Sequence, residues 1–353
     1  MEYLIDSLGD AGALALAGAL VGLLFGIFAE RSEFCLRAST VEVAEGRPAG
    51  RLAVWLLAFF AALGTVQLAQ FVGLMDLGEA RALAATGSMS GAIIGGLMFG
   101  VGMILARGCA SRLLVLASTG NLRALVSGLI LTLVAQTAYK GVLSPSREYL
   151  SGLWTVPGGP ARSLAAQLGL GQGLAAALAL AGFAAAWWFA ARCEVSRGKR
   201  LMAAGVGLAV MLGWLLTYLI AQTSFEVVPI SSVTFTGPAT DTLMVLVDQP
   251  GITLSFGIGL VPGVAIGAGA SALFARRWAI QRFGANTPME RYLLGAVLMG
   301  FGAMLAGGCA VGAGLSGGAA LSLTAWLAVF CMWVGAMATH LLLARTTALR
   351  PVA

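Results

Sequence analysis

Six stretches of this chain are apolar over the length a helix needs to cross a bilayer, about 20 residues. They are 11–29, 52–75, 171–191, 201–220, 251–275 and 321–343. A seventh, 122–139, is slightly shorter, and two more, 91–106 and 292–306, are short and glycine-rich. Each of these last two runs into a Gly-Cys step instead of a charged anchor. Backbone amides in lipid must be satisfied within the segment, which makes a crossing stretch of this kind a helix. Hydrophobic residues make up 59% of the chain and charged ones 10%, against about 25% charged in a soluble domain. A soluble enzyme is therefore excluded. The expectation is an all-α integral membrane protein with about nine transmembrane helices plus re-entrant short helices.

Charge placement gives an orientation. With the N-terminus outside and nine crossings, 17 of the 21 Lys and Arg residues fall on the inner side, and only Arg81, Lys140, Arg147 and Arg162 fall outside. That bias follows the positive-inside rule and predicts an outer N-terminus and a cytoplasmic C-terminus. The net charge of +6 then reports topology, and no nucleic acid is expected as a partner. Glu2, Asp6 and Asp10 stand where a signal peptide carries its basic region, so a cleaved leader is not expected. One His, five scattered Cys and no Cys-x-x-Cys predict neither a metal site nor a disulfide framework. Gly198-Lys199 lies outside any P-loop pattern. No cofactor and no catalytic residues are expected.

The two short spans are copies of one another. Residues 95–110 and 295–310 align at a constant offset of 200 with eight identities, ending in Gly-Cys-Ala at Gly108–Ala110 and Gly308–Ala310. Four spans belong to the first copy, and the helix at 171–191 stands alone between the copies. An odd connecting span turns the second copy over, so inverted-topology, pseudo-twofold repeats are predicted. The expected division is a first half at 1–170, a linker span with a basic inner loop at 171–200, and a second half at 201–353.

Three cysteines stand in Gly- or Ser-flanked loops that follow apolar segments. They are Cys35, Cys109 beside Gly108, and Cys309 beside Gly308. Irregular backbone at membrane depth is tolerated only where protein or a water-filled path surrounds it. The second-half stretch matching the Cys35 loop is 231–241, too polar for a span, with Thr236 and Gly237 expected to offer a hydroxyl and backbone N–H groups. A free cysteine also behaves as a small hydrophobe, and that reading suits Cys193 and Cys331. Gln67, Gln70, Gln136 and Asn121 fit equally a path lining and hydrogen bonds between helices. A thiol is soft and a weak donor, while Gly-flanked backbone and helix N-termini favour an anion. Together they suggest a sulfur-bearing anion.

At these residues the chain resembles the YeeE/YedE family of sulfur-compound membrane transporters, in which thiosulfate uptake is best known. The matching stretches are 25–38 with Cys35-Leu36-Arg37-Ala38, Gly100 to Arg112 followed by Gly120-Asn121-Leu122, Ser231 to Pro238, and Leu298 through Gly308-Cys309 to Ser316-Gly317. The resemblance implies an inner-membrane protein whose Cys35, Cys109 and Cys309 line a central route for thiosulfate, relayed by S–H···S contacts. It also implies, for some members, a small cytoplasmic TusA-like sulfur-carrier protein as partner. Arg107 stands where the second copy has Gly307. The alternatives within transport are export, or passage of sulfite, sulfide or a selenium analogue. Outside it they are a membrane thiol oxidoreductase and a non-transporting scaffold. On this topology the outer segments carry nine acids against four bases, so attraction of an anion there must be local.

Overall fold

The computed structural model describes residues 2–47, 49–224, 226–247, 254–283 and 289–348, with side chains omitted for 2–7 and 346–348. Residues 251–253 of the seventh expected span, and Arg350, lie outside the described residues. Fifteen α-helices follow in order: α1 (Glu2–Ser32), α2 (Leu36–Ala44), α3 (Gly50–Phe71), α4 (Arg81–Ala84), α5 (Met89–Leu105), α6 (Ala110–Ser118), α7 (Leu122–Lys140), α8 (Ser144–Gly152), α9 (Leu164–Gln167), α10 (Gln172–Arg192), α11 (Arg197–Thr223), α12 (Thr236–Val247), α13 (Phe256–Phe274), α14 (Met289–Ala306) and α15 (Leu323–Ala348). Among the described residues, nine helical segments are long and apolar enough to cross a membrane, two of them (Leu8–Ala44 and Met89–Ser118) running through a cysteine loop. The only sheet among these residues pairs Gly87–Ser88 with Thr155–Val156.

Lipid offers no hydrophobic force to bring these helices together, so close backbone contact must do it. Glycines make that contact possible. Gly18, Gly22 and Gly26 of α1 lie against the carbonyls of Phe256, Leu260 and Val264, and Gly259, Gly263 and Gly267 of α13 lie against those of Ala15, Ala19 and Leu23. Partners advance in step, so α1 and α13 run parallel. A side chain at any of the six would overlap the opposite backbone. Between α5 and α14 the order reverses: Gly95 meets Gly302 and Gly102 meets Gly295. These two helices, the pair that carries the sequence repeat, are antiparallel.

Other contacts exchange the same way. Gly100 of α5 packs on Met332 and Ala336 of α15, while Gly300 of α14 packs on Leu131 and Ala135 of α7. Helix α1 packs on α13 and α11 on α3; α2 packs on α3 and α15, and α12 on α13 and α7. Helix α10 leans mainly on α3.

Buried polar groups settle two of the open glutamine and asparagine readings. Gln67, 5% exposed, donates to the Ala319 carbonyl at 2.7 Å. Asn121 caps α7 through Ala124 N–H at 2.9 Å and donates to Gln281 Oε1. Both hold elements together. One end of the bundle carries the Arg-rich loops, where Glu30 pairs with Arg277 at 3.0 Å and Glu33 with Lys199 at 3.1 Å and with Arg51. This end is the basic face. At the other, Arg162 donates to the Ala85 carbonyl at 2.6 Å and to Thr324 Oγ1 at 2.8 Å, pinning segment 141–170 to α15.

Candidate functional site

All three loop cysteines sit on one backbone device. Helix α1 stops with Glu33 in the left-handed region (φ 57°), α5 with Arg107 (φ 56°) and α14 with Gly307 (φ 77°). The next residue then donates back across the last turn: Phe34 N to Ala29 O at 3.3 Å, Gly108 N to Met103 O at 3.2 Å, Gly308 N to Ala303 O at 2.9 Å. This six-to-one bond is the Schellman stop. The cysteine follows at once. Its carbonyl opens a new helix, accepting from Ser39 N (3.3 Å), Leu113 N (2.9 Å) and Ala313 N (2.8 Å) respectively. Each thiol thus stands at a break between two helices, at the N-terminus of the second.

The first turn of a helix leaves N–H groups without intrahelical partners and carries positive partial charge. Cys35 and Cys109 occupy the N-cap positions of α2 and α6 without a side-chain capping bond. The Cys109 sulfur lies 3.4 Å from Ser111 Oγ, and Gly312 N–H donates to Cys309 Sγ at 3.5 Å. Cys109 and Cys309 are each 1% exposed, Cys35 is part-exposed, and all five cysteines are unbridged thiols. Cys109 lies within electrostatic reach of both Cys35 and Cys309. Yet among the described residues no three His, Cys, Asp or Glu gather closely enough to hold a metal. The three thiols are not ligands around one point.

The second half replaces the Cys35 loop with an extended run that ends at Phe235, whose carbonyl accepts from Ala239 N at 2.9 Å as α12 begins. Two hydroxyls of this stretch are consumed by backbone carbonyls, Ser232 donating to Val210 O (2.6 Å) and Thr240 to Gly237 O (2.5 Å). Thr236 differs, being 2% exposed with an Oγ1 that finds no partner. Gly237, next to it, has open space around its Cα. The ring of Phe235 packs on Phe25 at 5.3 Å between centroids.

Sequence reasoning missed the π-helical turn Gly312–Gly317 that follows Cys309. Such turns are rare and concentrate at functional sites. Ser316 Oγ donates to Val233 O at 2.6 Å and Trp214 Nε1 to Ser316 O at 3.3 Å, tying this turn to the extended run. Its signal was only a run of small residues. Also missed was an arginine group at the basic face: Arg37, two residues beyond Cys35, lies within electrostatic reach of Arg107, Arg123 and Tyr292. Positive charges far apart in sequence gave no cue to their meeting.

Helices of membrane-crossing length, interrupted three times at thiol-bearing breaks, define a polytopic membrane protein. The chain matches the family described as Sulphur transport over residues 31–338 and belongs to it, the YeeE/YedE family of its sequence resemblance. It is 28% identical over 325 residues to a thiosulfate transporter, TsuA, of Spirochaeta thermophila, covering 88% of this chain and 93% of that one. To the thiosulfate transporter TsuA of Escherichia coli it is 26% identical over 346 residues, covering 92% and 93%.

Proposed function

We propose that this protein carries thiosulfate, or a closely related sulfur anion, into the cell through the inner membrane, past Cys309, Cys109 and Cys35 in turn. The observation that carries the reading is the repeated helix break that sets a thiol on a helix N-terminus. Partial charge at each N-terminus is worth about 0.3–1 kcal/mol, or up to about 2 when partly buried. That suits a string of weak stations, since conduction needs binding that both admits and releases the ion. The anion's oxygens face N–H groups, while its terminal sulfur meets soft thiols. Thr236 and Gly237 extend the string on the second-half side, with the unpartnered hydroxyl as a further donor. Gly108 and Gly308 hold the cysteine loops close to the path.

In this reading the halves 1–170 and 201–353 are related by an inverted twofold, with the N-terminus outside and the C-terminus in the cytoplasm. The antiparallel α5 and α14 support that relation. A TusA-like carrier would receive the ion at the basic face. Family membership and the names of the relatives support transport over enzymatic chemistry.

Labelled thiosulfate uptake into proteoliposomes tests the proposal. Cys109→Ala and Cys309→Ala are expected to lower the rate at least tenfold, the equivalent of about 1.4 kcal/mol on the barrier. Cys109→Ser, which keeps a hydrogen-bonding group but exchanges soft sulfur for hard oxygen, should also lose most uptake. Transport that survives in Cys35→Ala, Cys109→Ala and Cys309→Ala alike would defeat the thiol path.

A further inference from the structure

The basic face holds a cavity of about 120 Å³ lined by Asn121, Arg123, Gln281, Arg282 and Phe283. Its frame is rigid. Gln281 N donates to Gly120 O at 2.9 Å and Leu122 N to Gln281 O at 3.2 Å, so the strand-like run 279–281 is laced to the start of α7. The polarity of its side chains follows from one bond. Asn121 Oδ1 accepts from Ala124 N–H, so Nδ2 is the donor toward Gln281, and Gln281 must answer with Oε1. Its Nε2 is left as a pure donor with no protein acceptor among the described residues. Arg123 is held by Tyr292, Nη1 to Oη at 3.2 Å with the guanidinium 4.8 Å from the ring centroid. Arg282 contributes a second guanidinium, and no carboxylate lines the space.

Two guanidiniums and an amide N–H₂, with no carboxylate among the described lining residues, form a set of donors that suits an anion. Arg37 connects it with the thiols. It lies two residues past Cys35 and within electrostatic reach of Arg123, and its Nε is buried without a hydrogen-bond partner.

We propose that this cavity is an anion station at the basic mouth, which takes a free divalent tetrahedral oxyanion on the Arg282 and Arg123 guanidiniums and the Gln281 amide. This deepens the thiosulfate reading and rests on it for the direction of traffic. The chemistry differs from that of the thiols in one respect. Every side-chain group facing the ion here is a hard N–H donor, so sulfate and thiosulfate bind alike. Selection for sulfur belongs to the cysteines, and the mouth collects either ion.

The test is binding of labelled sulfate and labelled thiosulfate to the full chain in nanodiscs of phosphatidylcholine. Wild type should bind both ions, and Arg282→Gln should weaken both about tenfold, the loss expected for one charge-assisted contact. Arg282 is exposed, so this variant should fold. Sulfate applied at the basic face of oriented vesicles should compete with thiosulfate, and sulfate at the opposite face should not. No sulfate binding by wild type, or equal binding by Arg282→Gln, overturns the station. So does occupancy only by phosphatidylglycerol added to the nanodiscs, which would make it a lipid headgroup site. Sulfate binding that depends on Arg282 in a protein that moves no thiosulfate would retain the station and overturn the transport reading instead.

Discussion

Two residues before Cys35, Cys109 and Cys309, the chain takes the same left-handed turn with three different residues. Glycine adopts this conformation freely, whereas other residues incur roughly 1–2 kcal/mol. Gly307 has no atom near enough to touch an added Cβ, so Gly307→Ala isolates the backbone cost. It should lower stability by about 1 kcal/mol, read as a lower unfolding midpoint in detergent. Arg107→Gly should do the reverse. Relief of about 1–2 kcal/mol is only partly offset by the roughly 0.5–1 kcal/mol that glycine adds to unfolded-chain entropy, and the midpoint rises. Glu33→Gly should change little, because it also removes ion pairs to Arg51 and Lys199, each worth at most about 1 kcal/mol. If Arg107→Gly lowered the midpoint, the arginine side chain would be holding the fold and the backbone explanation would fail. An arginine kept at a backbone position that glycine fills better points to its charge, beside Arg37 at the basic face.

Helices were the legible part of this sequence, and their partners were not. Nine spans follow from apolar length, and the copy of 95–110 at 295–310 follows from an alignment anyone can make by eye. The glycines at 18, 22 and 26 and at 259, 263 and 267 are plain in the chain, yet nothing local says that the two rows interlock. That is a long-range fact, set by which backbones approach most closely. The Schellman stops at Glu33 and Arg107 were hidden for a different reason: neither carries the glycine that usually marks one. The glycine rows make a sharp prediction at this scale. Gly263→Leu places a side chain inside the Ala19 carbonyl, and α1 and α13 must separate. Overpacking of this kind costs about 1–3 kcal/mol in a core that can yield, and a backbone contact yields less. The protein should fail to accumulate in membranes on immunoblot. Gly128→Leu, at a glycine with open space around it, should accumulate normally.

Across the whole molecule, the two halves share a packing scheme but not a lining. Cys109 and Cys309 correspond, as do Arg107 and Gly307, whereas Cys35 has Phe235 as its counterpart at the offset of 200. The two positions are unlike: a part-exposed thiol followed by Arg37 at one, and an aromatic pair, Phe25 with Phe235, beside the unpartnered Thr236 at the other. If the halves are inverted, this asymmetry in sequence becomes an asymmetry across the membrane. An anion carried inward, as proposed, would leave past the Arg123 and Arg282 guanidiniums of the basic face. The consequence can be measured with single-cysteine variants that retain Cys35, Cys109 or Cys309 alone, with alanine at the other four. A small, charged, membrane-impermeant methanethiosulfonate should modify Cys35 from the basic face and Cys309 from the opposite one. Cys109 and Cys309, each 1% exposed, should both react more slowly than part-exposed Cys35, and thiosulfate should protect all three. Modification of Cys35 and Cys309 from the same face only would overturn the placement of these two breaks at opposite ends of the path.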